Sequence, residues 1–141
     1  MIDSKNYDFS FSGLKTAVLN EVRKFQARSI AINQYQSLMA REFQQAVIDV
    51  LISKTMAAAY EYKPKSICLC GGVSANKNLR QQMQKAVEKL PWPASYHVPE
   101  LILSTDNAAM IGIAAAYHLD QSASWRTTWD KINVNSNLKL S

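Results

Sequence analysis

The chain has 141 residues, a length that suits one compact domain and is too short for two. Hydrophobic residues make up 48% of the sequence and charged residues 19%, so the chain can form a core and global disorder is excluded. The formal net charge of +5 is compatible with a polyanionic partner such as RNA, although many basic domains bind no nucleic acid. No stretch has the apolar length of a membrane span and the opening MIDSKNYDFS lacks signal-peptide features, which predicts a cytoplasmic protein.

The first half of the chain is predicted to form two helices. The alternation of polar and aromatic residues in DFSFSGLKTAV predicts a short extended stretch, after which Ser12 is a candidate N-cap for a helix that fades near Ala27. Apolar residues at three- and four-residue steps predict a second, longer helix over residues 33–62. Pro64 ends that helix, because the residue before a proline is pushed away from helical geometry.

The next part of the chain predicts an α/β arrangement. The short apolar run over residues 67–70 is typical of a buried strand that lies parallel to a neighbour. A helix over residues 76–90 follows, and residues 95–98 are a candidate second strand. Cys68 and Cys70 fall inside the apolar run, where we expect two small buried residues, because two thiolates alone make a poor metal site.

An alanine-rich helix is predicted within PELILSTDNAAMIGIAAAYHL. Ser104 or Thr105 can cap this helix, and Asp106 would then complement the helix dipole in the first turn. A metal-ligand role for Asp106 is the less common alternative. The last stretch, residues 121–141, is polar and without periodicity, and we predict that it docks through Trp125 and Trp129.

The sequence CGGVSANKNLR is the first stretch that could carry chemistry. Gly71 and Gly72 stand at the end of a strand, where glycines permit positive φ angles and allow a ligand to approach the backbone. The helix that follows presents unpaired N–H groups to an anion or polar ligand, and Asn76 can cap this helix or read a hydroxyl or base edge. Because neither GxxxxGK[ST] nor GxGxxG is present, a tight turn that binds nothing is the alternative.

Few other side chains qualify as site residues from the sequence. Lys15 follows SFSG and could reach a phosphate from a helix start, although a solvated lysine is more common in such a place. His97 and His118 belong to neither an HxxxH nor an HExxH pattern, and we assign catalysis to neither of them.

Four sequence blocks, taken in order, resemble the C-terminal half of the TsaD family of tRNA threonylcarbamoyladenosine synthases. The blocks are DFSFSGLKT, AREFQQAVIDVLISKT, CGGVSANKNLR and PELILSTDNAAMIGIAAAY, and they span roughly residues 5–118. The resemblance implies an actin-like ATPase fold. We therefore expect a helix-dominated α/β chain, with part of a ribonuclease-H-like lobe and one or two short parallel strands over residues 1–120, followed by the tail.

The resemblance also implies an acyltransferase. Members transfer threonylcarbamoyl from its adenylate to the N6 amine of adenosine 37 in tRNA, and they work with other subunits of the synthesis complex. By resemblance, the adenylate, an ATP-type nucleotide, would be bound by Gly71, Gly72 and Asn76. Asp106 matches the metal-binding aspartate of the family, whose metal is iron or zinc.

The first of the four blocks, DFSFSGLKT, resembles a family block near the adenylate cleft. Ser12, Gly13 and Lys15 match this block, and the resemblance gives them no defined role.

Two parts of the family pattern have no counterpart in this sequence. They are the pair of metal-binding histidines in an HxxxH helix and the glycine-rich hairpin that holds the phosphates and the acyl group, which in the family precede residue 1. One carboxylate cannot hold a catalytic metal, since such sites need about three protein ligands. We therefore expect a fragment that is inactive alone, and we assign no catalytic residue.

Because these parts of the family pattern are missing, we expect an exposed apolar flank that self-association or another chain would cover. The alternative function is a non-catalytic assembly or dimerisation module of the same fold. Retention of Asp106 and of GGVSAN argues against that alternative.

Overall fold

A computed structural model describes residue 4 and residues 6–26 and 32–118 of the chain. In chain order its helices and strands are α1 (Phe11–Gln26), α2 (Ile32–Tyr62), β1 (Ser66–Cys68), α3 (Lys77–Val87), β2 (Ser95–His97) and α4 (Ala108–His118). Single 3₁₀ turns lie at Gly72–Ala75 and Leu101–Leu103. The predicted fold class, a helix-dominated α/β chain with two short parallel strands, is confirmed. Within the described residues no helix is long and apolar enough to cross a membrane.

Helix α1 begins two residues earlier than predicted. The first helical hydrogen bond runs from Leu14 N to Ser10 O at 3.3 Å, so Ser10 occupies the N-cap position. Ser12 lies inside the helix, and its carbonyl accepts a hydrogen bond from Thr16 Oγ1 at 3.2 Å. The prediction that Ser12 is the N-cap is therefore wrong. Two serines two residues apart are equally good caps, and the aromatic alternation favoured the later one.

Helix α2 matches the prediction to within one residue at its start and ends where Pro64 requires. Lys63 follows the helix with a left-handed φ of 45°, and its N–H donates to Ala59 O at 2.8 Å. This bond pairs one of the carbonyls that a helix end otherwise leaves free. A left-handed residue and a proline in succession thus turn the chain sharply from α2 into β1.

The N-terminal segment lies against the second half of α2. Lys54 is 4% exposed, and its Nζ donates to Ser4 Oγ at 2.9 Å and to Asn6 O at 2.6 Å. Tyr7 donates its hydroxyl hydrogen bond to Glu61. A buried lysine and an exposed tyrosine therefore fix the chain that leads into α1.

The two strands pair in parallel, as predicted. Ile67 lies opposite Tyr96 and Cys68 opposite His97, and α3 forms the crossover between the strands. Ile67 is buried, whereas both Cys68 and Cys70 are exposed, so the prediction of buried thiols is wrong. Parallel sheets are usually covered on both faces, but the described residues cover only the face of Ile67.

The core lies between α2, α3 and the inner face of the sheet. It consists of two neighbouring clusters against which Met56 and Tyr96 both pack. One cluster contains Ile48, Leu79 and Met83, and the other contains Ala59, Ile67, Val87 and Leu90. The first cluster lies where α3 begins, so the core directly supports the turn between β1 and α3.

The chain divides into two compact units, residues 1–104 and 105–141. Asn107 caps α4, since its Oδ1 accepts from Met110 N at 3.0 Å. The prediction that Ser104 or Thr105 is the cap is wrong, and Asp106 precedes the helix rather than lying in its first turn. All four residues are good N-cap types, so composition did not discriminate between them.

Helix α4 has no buried residue. Its small residues are therefore not closely packed within the described part of the chain. The predicted docking of the tail through Trp125 and Trp129 lies outside the described residues and stays a prediction.

Candidate nucleotide-binding site

The GGVSAN turn, residues 71–76, connects β1 to α3. Gly71 has φ 82° and ψ 171°, a backbone conformation that residues with a side chain rarely adopt. Two hydrogen bonds hold the turn internally, from Ser74 N to Gly71 O at 2.9 Å and from Asn76 N to Val73 O at 3.0 Å. A Cβ placed on Gly71 or Gly72 would meet no heavy atom within 4 Å, so space remains for a ligand against this backbone.

Asn76 is the N-cap of α3, as one of its two predicted roles required. Its Oδ1 accepts from Leu79 N at 3.0 Å, and its Nδ2 donates to Gln44 Oε1 at 2.9 Å. A side-chain amide has two donor hydrogens and two acceptor lone pairs, so one of each remains for a ligand. The structural role of Asn76 and a binding role are therefore compatible.

A cavity of about 500 Å³, the turn cavity, opens beside the GGVSAN turn, and Val73 and Asn76 belong to its wall. The remaining wall is mostly apolar and comes from α2, α3 and the start of α1: Phe11, Ala40, Phe43, Gln44, Val47, Ile48 and Leu79. Small-molecule sites usually combine such apolar walls with a few polar groups. The Gln44 and Asn76 amides are the polar side chains of this wall, an arrangement that suits a flat heteroaromatic group with a polar edge.

The start of α1 reaches the same cavity. Phe11 lines the turn cavity, while Ser12, Gly13 and Lys15 are exposed on the same helix and are not part of its wall. A Cβ on Gly13 would lie 3.0 Å from Ser10 Oγ, so glycine permits the close approach of the capping serine. The structure thus brings the first and third sequence blocks to one site through Asn76, which the motifs predicted, and Phe11, which they did not.

Gln44 and Phe43 were also missed from the sequence. They lie in the block AREFQQAVIDVLISKT, whose helical period is evident but whose contact with the GGVSAN turn depends on how α2 and α3 pack. The short separation between Gln44 and Asn76 is likewise a property of the folded chain. No local signal pairs residues 32 positions apart.

Arg80 lies one helical turn after Asn76 and contacts the GGVSAN turn from within the protein. Its Nε donates to Ser74 O, and its Nη2 donates to Ser104 Oγ at 2.9 Å. Ser74 and Ser104 are buried. Ser104, predicted as a helix cap, is instead a hydrogen-bond partner of this guanidinium.

Asp106 lies in the second unit and is exposed. Among the described residues there is no group of three or more His, Cys, Asp and Glu side chains that could hold a metal ion. His97 contacts Ser95 Oγ at 3.0 Å, and His118 ends α4. The described residues therefore do not form a complete site for a catalytic metal, which needs about three protein ligands.

Taken together, these features define a class of protein. Two parallel strands with a helical crossover, a glycine turn at the carboxyl end of the first strand and an apolar cavity beside the helix start are typical of nucleotide-binding α/β proteins.

Comparison with known proteins gives the family. A family model described as tRNA N6-adenosine threonylcarbamoyltransferase matches residues 1–113, and the chain belongs to this family. A relative of that name from Geobacillus kaustophilus is 46% identical over 113 residues, which cover 80% of this chain and 32% of the relative. Another, from Lactobacillus acidophilus, is 48% identical over 121 residues, or 84% of this chain and 34% of the relative.

A third relative of the same name, from Lactobacillus johnsonii, is 42% identical over 142 residues, or 99% of this chain and 39% of the relative. The chain therefore spans about a third to two fifths of the length of the curated relatives it matches. The family predicted from the four sequence blocks is confirmed.

Proposed function

We propose that this chain is the adenylate-binding part of a tRNA N6-adenosine threonylcarbamoyltransferase. The observation that carries the proposal is the turn cavity, which lies beside a glycine turn in a chain of this family. In the proposed reaction the N6 amine of adenosine 37 in tRNA attacks the carbamoyl carbon of threonylcarbamoyl-adenylate. A carbon–nitrogen bond forms, the bond from that carbon to the phosphate oxygen breaks, and AMP and a proton are released.

The proposed nucleotide site uses backbone and amide groups. The open backbone of Gly71 and Gly72 accommodates the adenylate, and Asn76 offers its remaining N–H and its remaining lone pair. Phe11 and Phe43 supply apolar wall for the base. These contacts bind and orient the nucleotide and exclude water from one side of it.

Three predicted site residues lie near the turn cavity without lining it. Ser12, Gly13 and Lys15 lie on the helix whose first residue lines the turn cavity. We place them at the edge of the nucleotide site. Lys15 is the one cation among them, and it would face the phosphate side.

We assign Asp106 to a metal site as one carboxylate ligand, with iron or zinc as the metal. The other ligands would come from outside the described residues, because these supply no group of three. The chain alone is then expected to bind metal weakly and to leave tRNA unmodified. Measurable modification of tRNA by this chain without any other protein would contradict that expectation.

The proposed partners are tRNA, other subunits of the threonylcarbamoyladenosine synthesis complex, and a second copy of the chain. Self-association is proposed because α4 exposes Met110, Ile111, Ile113 and Tyr117. Light scattering at increasing protein concentration tests this part of the proposal. A mass that stays at that of one chain over the whole range would contradict it.

Nucleotide titration tests the central proposal. We expect a non-hydrolysable analogue of an acyl-adenylate to bind the wild-type chain, with weaker binding to Asn76→Ala. Asn78→Ala is the matched control, because Asn78 is exposed in the first turn of the same helix and is not its cap. Asn76→Ser retains a capping oxygen, so it separates loss of the cap from loss of the amide.

The outcomes distinguish the transferase from the assembly module. Reduced affinity in both Asn76 variants with unchanged affinity in Asn78→Ala supports a ligand contact by the amide. Absence of nucleotide binding by the wild-type chain would overturn the proposal and favour a non-catalytic module.

A further inference from the structure

We infer that Arg80 is a positioning residue, which holds the GGVSAN turn in its binding conformation by fixing the carbonyl of Ser74 and tying it to Ser104. The inference rests on the proposed nucleotide site. It adds a residue to which the sequence motifs assign no role.

Arg80 holds the turn at two carbonyls. Its backbone N–H donates to Asn76 O at 3.1 Å, as a helical hydrogen bond requires, and its Nε reaches back to Ser74 O. Hydrogen bonds from a charged donor are stronger than those between neutral groups. One residue therefore fixes both the last residue of the turn and the residue two positions before it.

The second anchor lies far away in the sequence. Arg80 Nη2 donates to Ser104 Oγ at 2.9 Å, and this hydroxyl donates in turn to Glu100 O at 3.3 Å. Ser104 is 3% exposed, so solvent does not compete for the contact. The guanidinium thereby connects the turn to the segment that follows β2.

Besides its two internal hydrogen bonds and the Asn76 side chain, the turn has few side chains that could anchor it. Gly71 and Gly72 have no side chains, and 61% of Val73 is exposed. Ser74 is the only residue of the 3₁₀ segment that is buried, and the side chain of Arg80 binds its carbonyl. The glycines that leave space for a ligand also give the backbone of the turn more conformational freedom. The hydrogen bonds of Arg80 restrict that freedom.

Tyr96 lies near the guanidinium and provides an independent readout. Burial raises the pKa of Tyr96, and the positive charge of Arg80 acts in the opposite direction. Removal of the charge is therefore expected to raise the pKa of Tyr96 further. A change in this titration reports on the guanidinium itself rather than on general loss of structure.

The test compares Arg80→Met and Arg80→Lys with the wild-type chain, with Arg23→Met as the matched control on the exposed surface of α1. We expect Arg80→Met to lose about tenfold or more in affinity for the adenylate analogue, which is the size of one charged hydrogen bond. Amide hydrogen exchange at Ser74 and Asn76 should become faster. Arg80→Lys should restore part of both properties, because an ammonium can reach one acceptor but does not bridge two.

The readouts separate the possible results. Faster exchange in the turn together with weaker nucleotide binding, and neither change in Arg23→Met, supports the inference. Unchanged exchange in Arg80→Met would overturn it, and so would faster exchange with unchanged affinity, because Arg80 would then be merely structural.

Two controls keep the test decisive. If Arg80→Met does not fold, the comparison of wild type with Arg80→Lys decides by the same two readouts. If the wild-type chain binds no nucleotide, the proposed function fails, and exchange in the turn alone decides whether Arg80 holds its conformation.

Discussion

The GGVSAN turn and the segment around Asp106 were both predicted as ligand sites from one family resemblance, yet they are built differently. The turn rests on a buried cluster of Ile48, Leu79 and Met83, and its Asn76 side chain is hydrogen-bonded on both sides. The residues of α4 after Asp106 are all exposed. The candidate nucleotide site is therefore built from described residues, whereas a metal site at Asp106 would need ligands that the described residues do not supply.

The largest expected effect is a difference in the free energy of unfolding when one isoleucine from each region is replaced by alanine. Ile48 is 2% exposed and Ile111 is 66% exposed. Ile48→Ala is expected to lower the free energy of unfolding by about 2–5 kcal/mol, because it leaves a cavity in the core. Ile111→Ala should change it by no more than about 0.5 kcal/mol. Urea denaturation of both variants measures the difference, and equal losses would refute the contrast.

The next effect compares the two asparagine caps. Asn76→Ala should destabilise the chain by about 1 kcal/mol, which is typical of a lost N-cap, because α3 packs into the core. Asn107→Ala removes the cap of α4, a helix without buried residues, and should change helix content more than global unfolding. Circular dichroism and denaturant midpoints distinguish the two. A lower midpoint in Asn107→Ala than in Asn76→Ala would reverse our comparison.

Metal binding tests the second region directly. A lone exposed carboxylate is expected to bind Zn²⁺ weakly, so saturating metal should not raise the melting temperature of the chain. Asp106→Asn should leave that temperature unchanged with or without metal. Tight binding that is lost in Asp106→Asn would show that this chain completes the site after all.

The smallest effect is confined to alkaline pH. The hydrogen bond to Glu61 raises the pKa of Tyr7 from 10.0 to about 12. Because the folded state holds the proton more tightly, this contact contributes stability below pH 10 that is lost as the pH rises towards 12. Glu61→Ala leaves no acceptor for the Tyr7 hydroxyl, so this variant should lose most of this pH dependence. A difference between wild type and variant that stays constant across this window would contradict the assignment.

Regular elements were predictable from the sequence because their signals are local. The helical period fixes α2, Pro64 fixes its end, and the apolar run before Gly71 fixes β1. Helix starts were less predictable, since Ser10 competes with Ser12 and Asn107 competes with Ser104 and Thr105 as caps. Any of these residue types satisfies a helix end, so tertiary contacts decide between them.

The candidate site was predictable only in part, for a physical reason. Gly71 and Asn76 stand out because a turn and a helix cap demand particular residue types. Phe11, Gln44 and Arg80 do not, because each acts through a partner that is distant in the sequence. The expected burial of the cysteines was wrong because the sequence of a strand does not specify what covers its outer face.

The two exposed cysteines can serve as chemical probes of this part of the chain. Cys68 lies on the uncovered face of the sheet, opposite His97, and Cys70 follows just before the GGVSAN turn. Their alkylation rates need no engineered label and report two separate events. Cover of the sheet face by another chain would slow modification of Cys68, and a ligand beside the glycines would protect Cys70.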